Sequence, residues 1–255
     1  MASPYGDLDR PPLRERALAA ALEPDGWRLE VLPAVGSTNE VVAARARGGE
    51  PAGLVVVTEH QTAGRGRLDR TWVAPARAGL TLSVLLRPDL PLERWPWLPL
   101  WAGVAVARTL REQTGVDAVL KWPNDVLVGG RKLCGLLAEV PVEGVVVLGI
   151  GLNVTTRQAE LPRPDATSLA LEGATTTDRD TLLRALLRSL RDVLAEAAPD
   201  GYRALCSTVG GAVRIDLPGG ATVTGTAEAV DGTGRLVVDG RAYAAGDVVH
   251  LSERP

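Results

Sequence analysis

Apolar positions recur along this chain with two different periods, and the places where the period changes outline its elements. After Pro11 and Pro12, helical spacing predicts a helix over 13–22, ended by Pro24. Alternation then predicts a strand over 27–32. Ser37 and Glu40 have capping-box spacing, so a helix is expected to start there and run to Arg47, before Gly48 and Gly49. Apolar runs over 53–58 and 80–86 read as strands, the second of them buried. Residues 95–113 carry a second helical period, which stops at Gly115. A short strand over 119–122 leads into a hairpin, 126–128 and 131–140, turned by Gly129 and Gly130. Another apolar strand covers 145–154 and contains Gly149, Gly151 and Asn153. Leucines at 182, 183, 186, 187, 190 and 194 predict an amphipathic helix over 178–197. From about residue 210 the texture becomes short alternating runs broken by Pro218-Gly219-Gly220, Asp231-Gly232 and Asp239-Gly240. That texture predicts a small β-barrel of SH3-like size. The expected division is 1–206 and 207–255, with residues 1–10 disordered.

Composition narrows the function classes. Of 255 residues, 45% are hydrophobic and 23% charged, with a net charge of −3. This is globular material without the basic excess of a general nucleic-acid or membrane-surface binder. No apolar run nears the ~18 residues of a membrane span, and the N-terminus lacks the apolar core of a secretory signal. Two cysteines, Cys134 and Cys206, and two histidines, His60 and His250, have no metal-ligand spacing. They favour reduced thiols and a cytoplasmic location, with no protein metal site. There is no Phe but there are six Trp. Trp72 and Trp122 stand inside polar motifs, where an indole can cover a flat ligand.

The chemistry concentrates in the stretch EHQTAGRGRLDRTW, residues 59–72. Gly64 and Gly66 let backbone N–H groups approach a ligand, and Arg65, Arg67 and Arg70 supply permanent charge. Together they describe a flexible cationic loop able to close over an anion. The GSTN run at 36–39 places hydroxyls and free N–H groups at a helix start. Glycines inside the strand at 145–154 mark close approach by a ligand or another backbone.

Four separated motifs complete the pattern: GSTN at 36–39, QTAGRGRLDRTW at 61–72, KWPNDVLVGGRKLCGLL at 121–137 and GIGLNV at 149–154. In this order and spacing they resemble biotin–protein ligase. The resemblance implies an α+β fold: a mixed β-sheet flanked by helices, class II synthetase-like, followed by the SH3-like barrel. It implies ATP-dependent conversion of biotin to biotinyl-5′-AMP, with Mg²⁺ accompanying ATP. Biotin then passes to one lysine of a biotin carboxyl carrier domain.

By resemblance, Lys132 bridges the biotin carboxylate and the α-phosphate, and Arg67 reaches the same centre. Arg70 binds the phosphate chain and Trp72 packs in the nucleotide site. Arg65 and Gly66 form a lid over biotin, with Gly64 as its hinge. Ser37, Thr38, Asn39 and Gln61 meet the ureido head, which needs donors and acceptors. Gly135 and Gly149 leave room for the ligand. Asn124 and Asn153 bond the adenine or a neighbouring phosphate, and Lys121 gives electrostatic support. Asp125 is the candidate base or orienting group for the acceptor lysine. One departure is Asp69, where the family loop has glycine; it adds negative charge beside the arginines.

Some members of this family carry an N-terminal DNA-binding module. Too few residues precede Ser37 for one here, so a ligase without DNA binding is expected. The resemblance allows a homodimer. Competing readings are a lipoate–protein ligase, whose Arg-Arg-x-Gly-Gly-Gly run is absent, and a non-catalytic biotin sensor or repressor. A generic nucleotide-binding module is a third, and no strict P-loop is present.

Overall fold

The structure is a computed structural model and describes residues 10–68 and 70–251. Helix α1 (Glu15–Leu22) leads into strand β1 (Arg28–Leu32), which crosses through helix α2 (Thr38–Arg47) to β2 (Leu54–Thr58). A ribbon of β3 (Gly64–Arg65) and β4 (Thr71–Trp72) precedes β5 (Gly79–Leu86) and the long helix α3 (Trp97–Thr114). Strands β6 (Ala118–Lys121), β7 (Asp125–Val128), β8 (Arg131–Glu139) and β9 (Val146–Asn153) follow, then α4 (Arg179–Glu196) and α5 (Pro199–Leu205). The C-terminal strands are β10 (Ala212–Asp216), β11 (Thr222–Val230), β12 (Leu236–Val238), β13 (Arg241–Tyr243) and β14 (Asp247–His250).

Among the described residues the strands form a seven-stranded sheet, β1-β2-β5-β9-β8-β7-β6, and a five-stranded antiparallel sheet, β13-β12-β11-β10-β14. In the larger sheet β1 and β2 pair in parallel and the remaining pairs are antiparallel, so it is mixed. The period of two sorts its residues onto two faces. Leu80, Leu82 and Val84 of β5, with Leu148, Ile150 and Leu152 of β9, enter the main core with α3 and α4. The opposite face begins as a small apolar cluster under α2, where Val42 and Ala46 meet Leu54, Val56, Leu85 and Val147. Further along, the residues of that face are Thr81, Ser83, Gly149 and Gly151, too small or too polar to fill a core. A hollow is therefore written into the alternation of β5 and β9.

Aromatic packing joins the two sheets. Trp97 and Trp101 stack with centroids 5.8 Å apart, and Tyr202 meets Trp97 edge-on. Trp97 Nε1 donates to the Gly232 carbonyl at 2.9 Å, in the C-terminal sheet region. Trp122 is buried; its Nε1 donates to the Gly234 carbonyl at 3.0 Å and its backbone N–H to Thr208 Oγ1 at 3.0 Å. It is thus a joint between the two parts of the chain and not a cover for a flat ligand. Its polar neighbours in sequence face elsewhere.

Other expectations also change. Ser37 is the N-cap of α2, but its side chain makes no capping bond. The Thr38 N–H is met by a tertiary partner, Gln61 Oε1 at 2.9 Å, and the Ser37 side chain lines the hollow. Residues 1–9 and Asp69, on which disorder and an added charge were expected, lie outside the described residues. Arg10, included in that expected disorder, is buried and donates to the Thr155 carbonyl at 2.8 Å and to Glu160 at 2.6 Å. Helix α5 was not anticipated from the pattern. Cys134 and Cys206 are both free thiols. Among the described residues no helix is long and apolar enough to cross a membrane.

Candidate active site

The hollow on the α2 face is a cavity of about 470 Å³ roofed by the ribbon and its loop. One end is built by α2 and the turn after β2. Ser37, Thr38, Asn39 and Gln61 all line it there. Thr38 and Asn39 are buried, and the Ser83 hydroxyl lies 2.7 Å from Thr38 Oγ1 and 2.5 Å from Asn39 Oδ1. Gly149 makes this possible, because a Cβ there would collide with the Asn39 side chain. The result is a pocket of short hydroxyl and amide groups offering donors and acceptors together.

The middle of the cavity is floored by β8 and β9 and roofed by Trp72. The indole lies flat enough on the sheet that a Cβ at Gly151 would stand 2.5 Å from its Cε2. Gly135 lies under the same ring and beside the Lys132 side chain. Trp72 Nε1 is buried and has no hydrogen-bond partner among the described residues. Asn153 is buried and donates to the Thr167 carbonyl at 2.9 Å.

The other end is charged. The antiparallel register sets Asp125 opposite Gly135 and Lys132 opposite Leu127 across the β7–β8 hairpin. Lys132 Nζ stands 2.6 Å from Asp125 Oδ1. Arg67 reaches in from the loop and donates to Asn124 Oδ1 at 3.2 Å, while Asn124 Nδ2 is held by the Leu136 carbonyl at 3.0 Å. Burial holds the Arg67 guanidinium below its ordinary value, and the charge of Asp125 partly offsets that. Burial likewise lowers Lys121, against the attraction of Asp125 and together with repulsion from Lys132. Three cations thus gather around one carboxylate, leaving a positive field suited to anions. Desolvation raises Cys134, behind this centre, to about 12, which marks it as an inert core thiol.

The structure brings Arg65, Gly66, Arg67, Arg70, Trp72, Asn124, Asp125, Lys132, Gly135, Gly149 and Asn153 to this cavity with the α2 group. Two expected residues do not line it. Lys121 stands opposite Asp125 in the β6–β7 register, and Gly64 lines a neighbouring cavity of about 650 Å³ beyond the loop. The loop is also more ordered than its glycines implied, because Gly64 and Arg65 pair in register with Trp72 and Thr71. Leu68 adopts φ 53° at its exposed tip.

Sequence reasoning missed four participants. Ser83 had a signal, since it and Thr81 are polar positions in an otherwise apolar strand. Glu139 accepts from Asn39 Nδ2 at 2.6 Å and pairs with Arg65, but nothing local marks it. Asp247 of β14 pairs with Arg70 from 177 residues away. Arg163, bonded to Asp165, lines the charged end through a chain segment that bridges to Lys132. Among the described residues no cluster of three His, Cys, Asp or Glu side chains could hold a metal ion.

Comparison with known proteins places this geometry. Residues 31–154 match the biotin/lipoate A/B protein ligase family, and 208–251 match the biotin protein ligase C-terminal domain. The chain is 47% identical to the biotin–[acetyl-CoA-carboxylase] ligase of Mycobacterium tuberculosis, over 96% of this chain and 98% of that protein. It is 37% identical to the bifunctional ligase/repressor BirA of Escherichia coli, over 67% of this chain and 54% of that one. Biotin protein ligase from Aquifex aeolicus, solved in complex with biotin and ATP, superposes with a TM-score of 0.73 at 28% identity, covering 87% of this chain and 97% of that one. The Leishmania major ligase with biotinyl-5-AMP gives 0.62 at 26% identity, over 88% and 98%.

Proposed function

This chain belongs to the biotin–protein ligase family, and from that premise we infer that it activates biotin with ATP and passes it to a lysine of a biotin carboxyl carrier domain. The observation that carries this reading is the cavity itself. It has a hydroxyl-and-amide pocket at one end and the Arg67–Asp125–Lys132 centre at the other. That polarity fits a ligand with a ureido head and a carboxylate tail, which favours biotin over lipoate, a molecule with no such head.

In the first step a biotin carboxylate oxygen attacks the α-phosphorus of ATP. The new O–P bond forms as the bond to the β-phosphate breaks and pyrophosphate leaves. Two anions must meet, so cations between them matter most. Lys132 is placed to neutralise both, with Arg67 beside it. Arg70 is proposed for the phosphate chain, where the nucleotide competes with Asp247 for its guanidinium. Trp72 offers its ring to the nucleotide side, and its unpartnered Nε1 can donate there. Arg65 and Gly66 cover biotin. Asn124 holds Arg67 and Asn153 fixes the floor by its bond to Thr167. Lys121 adds field from the paired strand β6.

In the second step the acceptor ε-amine attacks the biotinyl carbonyl carbon, AMP leaves, and the amine gives up a proton. Asp125 is the carboxylate within reach of that centre. Mg²⁺ is proposed to enter with ATP, held by phosphates and water as this ion usually is. The free thiols support a cytoplasmic setting. A division of the chain near residue 206 and a homodimer belong to the same proposal; light scattering with and without ligands tests the latter.

The decisive experiment is transfer of labelled biotin to a carrier domain with ATP and Mg²⁺, comparing the wild type with Lys132→Ala. Transfer is expected from the wild type and not from the variant. A folded wild type that activates lipoate and not biotin would overturn the reading.

A further inference from the structure

Glu139 ends β8 and lines the neighbouring cavity beyond the loop, and its two carboxylate oxygens serve two different parts of the site. Oε2 accepts from Asn39 Nδ2 at 2.6 Å. Oε1 pairs with the guanidinium of Arg65 on the ribbon. Arg65 is met on its other side by Glu40 at 3.4 Å. A carboxylate only accepts hydrogen bonds. Glu139 therefore dictates which end of the Asn39 amide is which: the NH₂ faces Glu139 and Oδ1 faces Ser83, 2.5 Å away. Ser83 in turn touches Thr38 Oγ1 at 2.7 Å, which lies 3.3 Å from Gln61 Oε1. The polarity of the whole hydroxyl-and-amide pocket is anchored at one carboxylate.

Resting on the functional reading above, we propose that Glu139 is a positioning residue that couples recognition of the biotin head to the seating of the lid. One oxygen sets the orientation of Asn39 and the other holds the Arg65 end of the ribbon over the same pocket. The two tasks cannot be separated chemically at this position. Glutamine has one accepting oxygen and one donating NH₂. In Glu139→Gln, either the NH₂ faces the guanidinium and the ribbon is released, or it faces Asn39 and the amide must turn. Each case disturbs one end of the coupling. Glu40 provides the contrast, because it touches Arg65 without a bond to Asn39.

Three proteins test this: wild type, Glu139→Gln and Glu40→Gln. Each is checked by circular dichroism for an unchanged fold, with Glu139→Asp as the substitute if Glu139→Gln lowers Tm. The readouts are KM for biotin and kcat in biotin-dependent pyrophosphate exchange, and tryptic cleavage after Arg65, Arg67 and Arg70 with and without biotin. Glu139→Gln is expected to raise KM for biotin by on the order of tenfold, as loss of a charge-assisted bond does, with kcat changed far less. Its loop should be cut faster than wild type without ligand, and biotin should protect it less. Glu40→Gln should leave KM for biotin near the wild-type value. Equal KM values in all three proteins, or an equal rise in both variants, would overturn the coupling. A wild type without biotin-dependent exchange would instead overturn the functional reading. The ligand-free cleavage rates would still decide whether Glu139 holds the ribbon.

Discussion

Lys132 Nζ and Asp125 Oδ1 face each other across the β7–β8 hairpin at 2.6 Å, and this ion pair lines the end of the cavity that Arg67 also enters. The ammonium carries three N–H donors, so Lys132 can meet a second anion while it pairs with Asp125. In the proposed first step, removing Lys132 strips the cation from between carboxylate and phosphate. Lys132→Ala is expected to lower the rate of biotinyl-5′-AMP formation by about 10²–10³-fold, the loss seen when one such donor is deleted. Single-turnover adenylate formation measures it. A rate within a factor of about three of wild type would remove Lys132 from the centre.

Asp125 makes a different prediction, because its proposed work comes in the second step. Asp125→Asn keeps the shape but cannot take a proton. Transfer from preformed biotinyl-5′-AMP to a carrier domain should slow by about 10²-fold or more. Adenylate formation should slow less, since Lys132 loses only an orienting partner. If transfer from the preformed adenylate ran at the wild-type rate, the carboxylate would have no part in deprotonating the acceptor.

Gly151 and Trp72 form the floor and roof of the part of the cavity proposed for the nucleotide. A Cβ at Gly151 would approach the indole to 2.5 Å, so Gly151→Ala must lift the ring or bend the sheet. The ribbon is the softer of the two, being a short pairing with a half-buried indole. Such overpacking costs about 1–3 kcal/mol. KM for ATP is therefore expected to rise on the order of tenfold, while KM for biotin changes little. Initial rates with each substrate varied would show a common rise in both constants if the ring were not the part that moved.

These predictions draw on residues that differ in how visible they were. The arginines of the loop and the KWPND hairpin were legible because their spacing is local: a turn and a register of two strands bring Asp125 and Lys132 together. Ser83 was half legible, since a polar residue alternating in an apolar strand must face something other than the core. Glu139 and Asp247 were not, because each acts through a partner that only the finished topology supplies, Asp247 from 177 residues along the chain. The capping box at Ser37 was misleading for the same reason. The local pattern pointed to a bond from the Glu40 N–H to Ser37 that does not form, while the Thr38 N–H is met by Gln61, 23 residues away. Trp122 was misread because its sequence neighbours are polar while its ring packs against the C-terminal sheet region.

Arg179 gives a test of stability apart from activity. It is 5% exposed, donates to Glu59 Oε2 at 2.7 Å and also holds the Pro11 carbonyl at 2.6 Å. The other Glu59 oxygen accepts the Leu13 N–H at 2.6 Å, so one buried pair ties α4, the end of β2 and the entry to α1. Arg179→Met leaves Glu59 without its cation in a buried place. Breaking a pair in this way costs about 3–5 kcal/mol. A clear fall in the urea midpoint is expected with the active-site cavity untouched. Glu59→Gln with Arg179→Met should recover part of the loss, because the uncompensated charge is gone.

His250 closes β14 with Nε2 3.0 Å from Thr208 Oγ1, and that buried hydroxyl also accepts the Trp122 N–H. Burial, reinforced by the charge of Lys121, holds the imidazole below its ordinary value. The sign of the pH effect follows from which state takes the proton first. In the unfolded chain His250 titrates at about 6.5; in the folded chain it titrates lower. As the pH falls through that interval the unfolded state binds the proton and the folded state does not, so stability drops on acidification and is fully present above about pH 7. In a charged imidazole Nε2 is a donor, so Thr208 Oγ1 would accept from it as well as from the Trp122 N–H. Urea midpoints followed by tryptophan fluorescence at pH 7.5 and 5.5 should therefore fall more for the wild type than for His250→Gln, which carries no titrating group. Identical losses in the two proteins over this interval would remove His250 as their source; paired carboxylates such as Asp25 between Arg188 and Arg191, with depressed values, weaken the fold only at lower pH.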